Sequence, residues 1–457
     1  MRLSLSEIVK ACGGRILNDF SSQTIITGVS TNTKTIKTGD IFVPIKGERF
    51  DGHDYLNDAF LGGAVCAFTE RTTKIETTFP LIYVNSTRRA LMDLASYYRR
   101  IHDVKVIAVT GSAGKTTTKD MIAEIMSKKY KTKKTMGNFN NDIGLPLSIF
   151  QLEQDDQVLV LEMGMNHANE IHDLSLTGAP DISIITHIGD AHIENFENRE
   201  GILNAKLEIV DGLKPNGTVI LNGDDPLLTG DISKEKTESF NVLYPNSNNI
   251  LESTPNGLNG SECIFKWKNE TIRIEVPMPG NHMVKNALLA VVCGLEMGIT
   301  PEDITEAFNS FTPPDGRLTV IESKGIKIIK DVYNSNPAAK IEAIKILEAA
   351  KTDENRVIAI LGDMGELGHV AEERHFEVGE FAAKSNVDIL VAIGTLSKNI
   401  YHGFTQTNLS GNAEYFETVE EFLPHCKSFF KPNDVVLIKA SRSMKFEQIS
   451  NELIHPY

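Results

Sequence analysis

A short glycine loop between a strand-like run and a helix-like run carries the strongest chemical signal in the sequence. Residues 106–110 (Val-Ile-Ala-Val-Thr) are apolar, and Gly111-Ser-Ala-Gly114 then leads into Lys115 and three threonines. Apolar residues recur at three- and four-residue steps in the stretch that follows, which predicts a helix. Backbone N–H groups and the helix dipole at such a turn attract phosphate, and the lysine adds a full positive charge. The pattern favours nucleotide binding over an ordinary strand-to-helix turn with a solvated lysine.

The hydroxyl of Thr116 stands where it could ligate the Mg²⁺ that accompanies ATP. The spacing is shorter than in the common phosphate loop, because only Ser112 and Ala113 separate the two glycines. We expect the ATP phosphates to be bound by the residues of this loop and of the first helical turn: Gly111, Ser112, Ala113, Gly114, Lys115, Thr116 and Thr117.

Further polar residues follow other strand-like runs of the same region. Glu162 ends the run 157–161, and the segment 187–192 (His-Ile-Gly-Asp-Ala-His) follows the run 181–186. Because parallel strands end at one edge of a sheet, Glu162 is expected beside the phosphate loop, where a carboxylate could hold Mg²⁺. The alternative is a strand-end acid in solvent. The chain has 12 histidines, so neither histidine of this segment is convincing alone, and Lys206 would ordinarily be a solvated helix lysine.

Four loops are rich in polar side chains. Residues 137–146 (Gly-Asn-Phe-Asn-Asn-Asp-Ile-Gly-Leu-Pro) place several amides between glycines, which can satisfy the loop's own backbone or grip a polar ligand. Residues 331–337 (Asp-Val-Tyr-Asn-Ser-Asn-Pro) and 362–368 (Gly-Asp-Met-Gly-Glu-Leu-Gly) each follow a strand-like run, and two polar loops at equivalent strand ends favour a binding surface. The hydroxyl-rich turn 30–34 is equally compatible with a surface turn and with a phosphate-binding loop.

Composition indicates a globular protein with little affinity for nucleic acid. The 457 residues contain 46 Lys and Arg against 61 Asp and Glu, a formal charge of −15, so a large nucleic-acid footprint is not expected. The five cysteines are scattered without metal-ligand spacing and indicate reduced thiols, and no apolar stretch is long enough to cross a bilayer. We therefore expect a cytoplasmic protein without nucleic-acid partners and without membrane insertion.

Alternating strand and helix patterns predict an α/β protein of three domains. We expect residues 1–103 to form a small N-terminal α/β domain, 104–313 a central P-loop-type domain with a mostly parallel sheet, and 314–457 a C-terminal doubly wound, Rossmann-like domain. The stretch 241–276 is expected to form hairpins on the edge of the central sheet. Ser4 and Glu7 predict a capping box at the start of a short helix.

Taken together, these motifs resemble the Mur ligase family of ATP-dependent amide-forming enzymes, which share a three-domain build. The resemblance covers essentially the whole chain. The loops 137–146, 331–337 and 362–368 are most similar to those of family members that join D-alanyl-D-alanine to UDP-N-acetylmuramoyl-tripeptide. The resemblance therefore implies an enzyme of cytoplasmic peptidoglycan precursor synthesis with ATP and Mg²⁺ as cofactors and these two compounds as substrates. We expect it to be a monomer.

The resemblance also implies roles for individual residues. The implied catalytic residues are Lys115, Lys206 and His192, and the implied metal ligands are Thr116, Glu162, His192 and Lys206, the last after carbamylation by CO₂. The alternative for Lys206 is a plain lysine that contacts a substrate phosphate. Further nucleotide contacts are implied for Asn286, Arg317 and Asp331. The implied substrate-binding residues are Ser30, Thr31, Thr33, Lys34, Phe50, Asp51, Gly52, His53, Asn138, Asn140, Asn141, Tyr333, Asn334 and Asn336.

Two stretches depart from the family pattern. Asn32 and Lys34 stand where Asp and Arg are frequent, and a lysine lacks the bidentate fork of an arginine, so individual roles in this turn stay open. Ala440 stands where glycine is frequent before Ser441-Arg442, which bears on loop geometry more than on chemistry.

The implied reaction agrees with the site read from the residues. Transfer of the ATP γ-phosphoryl group to a substrate carboxylate gives an acyl phosphate, which an amine then attacks as phosphate leaves. Two alternatives remain open from the sequence. One is another amide ligase of the family, such as a folylpolyglutamate synthase, and the other is a nucleotide-dependent ATPase switch that is not a ligase.

Overall fold

A computed structural model describes residues 1–17, 24–72, 79–409 and 411–454 of the chain. Within these ranges the strands form five sheets. The smallest pairs Leu3–Ser4 antiparallel with Ile25–Ile26. The predicted capping box is confirmed beside it, because the Ser4 side chain accepts from the Glu7 backbone and the Glu7 side chain accepts from the Ser4 backbone. No helix in the described ranges is long and apolar enough to cross a membrane.

The N-terminal part contains a five-stranded sheet. Its strands are parallel except at one edge, where the first pairs antiparallel with the second. In spatial order they are Arg15–Ile16, Leu81–Tyr83, Cys66–Thr69, Asp40–Phe42 and Gly28–Ser30. The helices of this part are Leu5–Cys12, Leu56–Leu61 and Thr87–Arg100.

The central part is built on six strands, all parallel, as the continuous apolar runs predict. In spatial order they are Asn241–Leu243, Thr218–Leu221, Ile182–Ile185, Lys105–Thr110, Val158–Glu162 and Thr132–Lys134. The helices of this part are Lys115–Ser127, Gly144–Ile149, Glu170–Gly178, Arg199–Leu207, Asp231–Thr237, Asn281–Glu296 and Pro301–Ser310. The strand of the phosphate loop lies in the interior of this sheet, so the loop opens at the middle of its carboxyl edge.

The prediction that residues 241–276 form hairpins on the edge of the central sheet is wrong in its placement. Asn241–Leu243 is itself the parallel edge strand, whereas Ile250–Pro255, Ser261–Trp267 and Glu270–Val276 form a separate antiparallel sheet. Alternate side chains of this small sheet are buried in one core cluster with the helix Asn281–Glu296. An apolar face that packs on a helix is buried more completely than one that would extend a sheet edge.

The C-terminal part is a six-stranded sheet covered by helices. Its strands are parallel apart from the first, an antiparallel edge strand. In spatial order they are Thr319–Ser323, Ile326–Asp331, Val435–Lys439, Val357–Gly362, Ile389–Ile393 and Asn412–Phe416. Its helices are Pro337–Ala349, Ala371–Lys384, Ser397–Thr407, Val419–Phe422, Cys426–Phe429 and Glu447–Ile454. The doubly wound arrangement is therefore confirmed, with two edge strands that the sequence did not indicate.

Asp181 ties the N-terminal helix Thr87–Arg100 to the central sheet. Its Oδ2 accepts from the Val106 backbone and from Lys214 Nζ, both at 2.9 Å. The buried guanidinium of Arg99 lies 3.7 Å from the same oxygen. Burial alone would raise the pKa of Asp181, but the hydrogen bonds from Val106, Lys214 and Lys105 lower it below 3.8. The ionised carboxylate is thus the form that the folded protein prefers.

We expect Asp181→Asn to lower the free energy of unfolding by about 2 kcal/mol at pH 7, because charged hydrogen bonds are lost and Arg99 loses its counter-charge. Since the folded-state pKa lies below that of the unfolded chain, this contribution is present above pH 3.8 and is lost as the pH falls through the folded-state pKa. Urea unfolding followed by fluorescence would measure it. The matched control is Asp155→Asn, whose solvent-exposed ion pair with Lys131 should leave the free energy of unfolding close to that of wild type. Equal stability of the two variants would contradict this account of Asp181.

Candidate active site

A cleft of about 660 Å³ opens between the carboxyl edge of the central sheet and the loops of the C-terminal sheet. We call it the main cleft. Most of the predicted nucleotide and metal residues line it, together with part of the predicted substrate set. Those that line it are Ser112, Ala113, Gly114, Lys115, Thr116, Thr117, Asn140, Glu162, His192, Asn286, Arg317, Asp331, Tyr333, Asn334 and Asn336.

The phosphate loop is held in a conformation that only glycine tolerates at two positions. Gly111 has φ 148° and Gly114 has φ 81°. A Cβ on Gly111 would lie 2.0 Å from the hydroxyl of Thr186, and one on Gly114 would lie 2.7 Å from the amide of Asn286. The Thr186 hydroxyl donates to the Ala113 carbonyl at 2.5 Å, which fixes the turn from the neighbouring strand end. The loop is therefore a preformed cradle at the start of the helix Lys115–Ser127.

Lys115 folds back over this cradle. Its Nζ donates to the Gly111 carbonyl at 2.7 Å. Burial lowers the pKa of Lys115, and the negative charge of Glu162 opposes that shift. A phosphate oxygen in the cradle would offer the ammonium a charged acceptor in place of a neutral carbonyl, and charge-assisted hydrogen bonds are the stronger ones.

The buried carboxylate of Glu162 fits a divalent cation. Its Oε1 accepts from the Asn140 amide at 2.9 Å, but its Oε2 is buried and has no hydrogen-bond partner among the described residues. A buried charged oxygen without a partner is costly, and carboxylate and hydroxyl oxygens are the ligands that Mg²⁺ prefers. The buried hydroxyl-bearing residue Thr116 and the ring of His192 line the same cleft. These three residues could therefore hold the metal.

Lys206 is not the solvated helix lysine that its surroundings in the sequence suggest. The residue is 1% exposed, and no hydrogen bond or ion pair joins its Nζ to another described residue. Burial, and after it the positive charge of Lys115, lowers the pKa of Lys206 well below its usual range. The ordinary interpretation as a solvated lysine does not apply, because the helix Arg199–Leu207 packs this face inward, which its local pattern does not reveal.

Arg317 and Tyr333 of the C-terminal half line the main cleft, and Arg442 stacks on the same ring without being part of the cleft lining. The guanidinium carbon of Arg317 lies 4.0 Å from the ring centroid of Tyr333, and that of Arg442 lies 5.1 Å from the same ring. Asp331, at the end of its strand, accepts from the buried Nζ of Lys439. Because an aromatic face favours cations, Tyr333 holds two positive groups together at the cleft.

The remaining side chains of the loop 331–337 are partly occupied by structural contacts. Asn336 caps the helix Pro337–Ala349 by accepting from the Ala339 backbone at 2.9 Å. Asn334 offers its carbonyl to Lys439 Nζ at 3.1 Å, while its side chain is exposed. Asn336 therefore has a structural role as a helix cap, in addition to the substrate contact that is predicted for it.

The N-terminal loops predicted to bind the UDP-sugar do not line the main cleft. In the turn 30–34, the Ser30 hydroxyl donates to the Asn32 carbonyl, and Thr33 and Lys34 lie in the short 3₁₀ helix Thr33–Thr35. In the loop 50–53, His53 Nδ1 lies 2.6 Å from Asp51 Oδ1, and Phe50 is 59% exposed. These loops satisfy much of their own hydrogen bonding.

Two other predicted substrate residues, Asn138 and Asn141, are exposed and also lie outside the lining of the main cleft. Asn141 accepts from the backbone of Gly144 at 2.9 Å and so helps to begin the helix Gly144–Ile149. Of the amide-rich loop, Asn140 is the residue that reaches the cleft, through Glu162.

Sequence reasoning missed several polar residues of the main cleft. Asp225 is buried, and its Oδ2 lies 2.9 Å from His187 Nδ1, while Asp224 pairs with Lys285 at 2.8 Å. Both acids follow the strand Thr218–Leu221 almost directly, so the rule that ligands bind at the carboxyl ends of parallel strands would have found them. Lys439 ends its own strand in the same way.

Three family descriptions match the chain. "Mur ligase family, catalytic domain" matches residues 25–113, "Mur ligase middle domain" matches 109–294, and "Mur ligase, glutamate ligase domain" matches 316–442. A relative from Bacillus subtilis (strain 168), UDP-N-acetylmuramoyl-tripeptide–D-alanyl-D-alanine ligase, is 36% identical over 453 residues, which are 99% of this chain and 97% of the relative.

Solved structures agree over the same extent. A crystal structure of MurF from Acinetobacter baumannii has a TM-score of 0.91 and 30% identity, and the match covers 99% of both chains. The MurF ligase from Thermotoga maritima in complex with ADP has a TM-score of 0.81 and 28% identity, over 93% of this chain and 96% of that one. With its phosphate cradle, its buried acid and its C-terminal wall in one cleft, this chain belongs to the Mur ligase family of ATP-dependent amide-forming ligases.

Proposed function

We propose that this protein joins D-alanyl-D-alanine to UDP-N-acetylmuramoyl-tripeptide, with conversion of ATP to ADP and phosphate, in cytoplasmic peptidoglycan precursor synthesis. The observation that carries the proposal is that the phosphate loop and the C-terminal loop 331–337 line one cleft. A site shared by two parts of the chain is what a ligase needs to bring a phosphorylated acid and an amine together. The relative matched over 97% of its own length carries this activity in its name.

The reaction proceeds in two steps, a phosphoryl transfer and then an attack by the amine. A carboxylate oxygen of the tripeptide attacks the γ-phosphorus of ATP, the bond to the β-γ bridging oxygen breaks, and ADP leaves. The amine of D-alanyl-D-alanine then attacks the acyl carbon of the acyl phosphate, inorganic phosphate leaves, and the amine loses a proton. Lys115 and Arg317 neutralise charge on the transferring phosphoryl group from opposite walls of the cleft.

Three residues of the central part of the chain would also hold Mg²⁺. We assign Thr116, Glu162 and His192 to this role, because Glu162 has a buried oxygen without a protein partner and the other two line the same cleft. When bound, Mg²⁺ supplies positive charge to the phosphate oxygens. The backbone of the loop 111–114 orients the phosphates, and Asn286, packed against Gly114, and Asp331 contact the nucleotide.

Lys206 is proposed to be carbamylated and to join the metal ligands. Its neutral amine adds to CO₂, a new N–C bond forms, and the nitrogen releases a proton, which leaves an anionic carbamate. Burial favours the neutral amine that this reaction requires, and an unmodified ammonium would repel a cation. The lack of any partner for the Lys206 Nζ among the described residues supports this role over that of a structural ion pair.

The proposed division of labour follows the three parts of the chain. Residues 1–103 would bind the UDP-sugar through Ser30 to Lys34 and Phe50 to His53, residues 104–313 would bind ATP, and residues 314–457 would bind the incoming amine. The loop Asn138 to Asn141 and the wall residues Tyr333, Asn334 and Asn336 complete the substrate set. We propose that the protein acts as a cytoplasmic monomer.

Incubation with ATP, UDP-N-acetylmuramoyl-tripeptide and D-alanyl-D-alanine should release ADP and form the ligated product in equal amounts, since one phosphoryl transfer precedes each amide bond. Coupled ADP detection and mass spectrometry of the product measure the two. Omission of either substrate should abolish product. ADP release that ignores both substrates would favour a simple ATPase, and product formed with folate and glutamate would favour a folylpolyglutamate synthase.

Lys115→Ala should lower kcat by at least about 100-fold with the fold retained, because the ammonium stabilises charge that develops in phosphoryl transfer. The matched control is Lys133→Ala, which removes the same charge from the edge strand Thr132–Lys134 and should stay within about twofold of wild type. Circular dichroism checks the fold of both variants. Activity of Lys115→Ala near that of wild type would remove this residue from the mechanism.

Lys206→Ala should reduce ligation at least about 100-fold, because a metal ligand is lost, and short carboxylic acids should restore part of the rate by replacing the missing carboxylate. Rates with and without acetate or formate measure the rescue. The control Lys234→Ala changes an exposed lysine and should neither lose activity nor respond to the acids. Failure of every short acid to raise the rate of a folded Lys206→Ala enzyme would contradict the carbamate.

A further inference from the structure

A side chain of the C-terminal half reaches across to the proposed metal ligand His192. Nδ1 of His192 lies 2.6 Å from Oε2 of Glu366, which belongs to the loop 362–368 after the strand Val357–Gly362. The contact joins two parts of the chain that are separated by more than a hundred residues. Phosphate binding does not explain Glu366, because phosphate is bound by positive charge, which Lys115 and Arg317 supply, and Glu366 is negative.

Both partners adopt backbone conformations that non-glycine residues rarely populate. His192 has φ 65° and Glu366 has φ 63°. Left-handed backbone at a bulky residue persists only where surrounding contacts impose it. Two further contacts join the segments around these residues. The Glu194 backbone donates to the Glu366 carbonyl, and Arg374 lies 4.0 Å from Asp190.

The contact brings a carboxylate oxygen to Nδ1 of His192 as an ion pair, although the ring N–H is not aligned with that oxygen as a hydrogen bond. When Nδ1–H faces Glu366, the lone pair of the ring is on Nε2, which is the atom then available to a metal. A carboxylate that accepts from the other ring nitrogen fixes the tautomer and makes the ligand nitrogen more basic. His192 itself lines the main cleft, with Glu162 and Thr116.

We propose that Glu366 is a positioning residue that orients His192 for the metal and thereby makes the metal site complete only when the C-terminal half is closed on the central half. The proposal rests on the metal site of the proposed function, but not on the identity of its substrates. The 2.6 Å contact across the two halves carries it.

Linkage then requires a reciprocal effect. If closure places Glu366 against His192 and strengthens metal binding, metal binding must favour closure by the same factor. A metal-loaded enzyme is thus held in the form in which Arg317, Tyr333 and the phosphate loop share one cleft. Without Glu366 the coupling between metal binding and closure is weaker.

The experiment uses the full chain and Mn²⁺ alone, which replaces Mg²⁺ and reports its free concentration by electron paramagnetic resonance. Glu366→Gln keeps the shape of the side chain and an acceptor oxygen but removes the charge. We expect its Mn²⁺ affinity to fall by about 10-fold or more, within the range for lost carboxylate partners of metal-bound histidine. Small-angle scattering at rising Mn²⁺ should show compaction at a correspondingly higher concentration than in wild type.

The control Glu354→Gln removes the same charge from an exposed loop of the same half and should bind Mn²⁺ as wild type does. A double-mutant cycle separates positioning from a general structural effect. In the His192→Asn background, Glu366→Gln should cause no further loss of Mn²⁺ affinity, because its effect passes through His192.

Three results would overturn the proposal. They are unchanged Mn²⁺ affinity in Glu366→Gln, an equal loss in the presence and absence of His192, and compaction that is independent of Mn²⁺ in wild type. Wild-type protein that binds no Mn²⁺ would reject the proposed metal site as well, whereas the first two results reject the role of Glu366 and leave the proposed reaction standing.

Discussion

The site depends on one buried carboxylate oxygen that the protein leaves unsatisfied. Oε2 of Glu162 has no partner among the described residues, although Oε1 of the same group is held by Asn140. A buried carboxylate oxygen without a hydrogen-bond partner destabilises the fold by roughly 1–3 kcal/mol, even after water and local relaxation have reduced the cost. A fold that retains this cost at the mouth of its phosphate loop offers a position for a cation. The arrangement of Glu162 thus fits a site for a divalent cation.

The two lysines of the site, Lys115 and Lys206, are also ionisable groups with few hydrogen-bond partners. Lys115 satisfies its ammonium with a backbone carbonyl, and Lys206 has no partner at all among the described residues. Burial lowers the pKa of both lysines, and the charge of Lys115 adds to the shift at Lys206. Burial and the positive charge of Lys115 both disfavour protonation of Lys206, and bound phosphate and metal would change this electrostatic balance. Carbamylation would give Lys206 a negative charge, which would remove the repulsion from Lys115 and supply a metal ligand.

The sequence predicts the parts of the fold that follow from local chemistry. The interior strands of both large sheets were predicted because strands buried on two faces are nearly continuous apolar runs, as Val158–Glu162 and Val435–Lys439 are up to their charged last residues. The edge strands Thr319–Ser323 and Asn412–Phe416 were missed because one face meets solvent and their residues are mixed. The phosphate loop was predicted residue by residue, since its chemistry lies in contiguous positions.

Contacts between loops that are distant in the chain could not be predicted from the sequence. Nothing in the order of residues places Glu366 against His192, and the burial of Lys206 depends on how its helix packs rather than on its neighbours in sequence. Asp224 and Asp225 are an intermediate case, because their position after a strand is visible but their partners are not. Predictability therefore decreases as the number of separate chain segments that form a feature increases.

The composite nature of the cleft has a mechanistic consequence. The central half contributes the cradle, Lys115 and Glu162, whereas the C-terminal half contributes Arg317, which stacks on the ring of Tyr333. Neither half alone surrounds a triphosphate with positive charge, and in an open arrangement water would screen what each half supplies. Closure of the two halves would lower the local dielectric as both sets of charges converge, which would strengthen every interaction with the transferring phosphoryl group. An acyl phosphate formed in that enclosed space is protected from water until the amine attacks. The pairing of loops across the cleft would in this way help the ligase to avoid hydrolysis of its own intermediate.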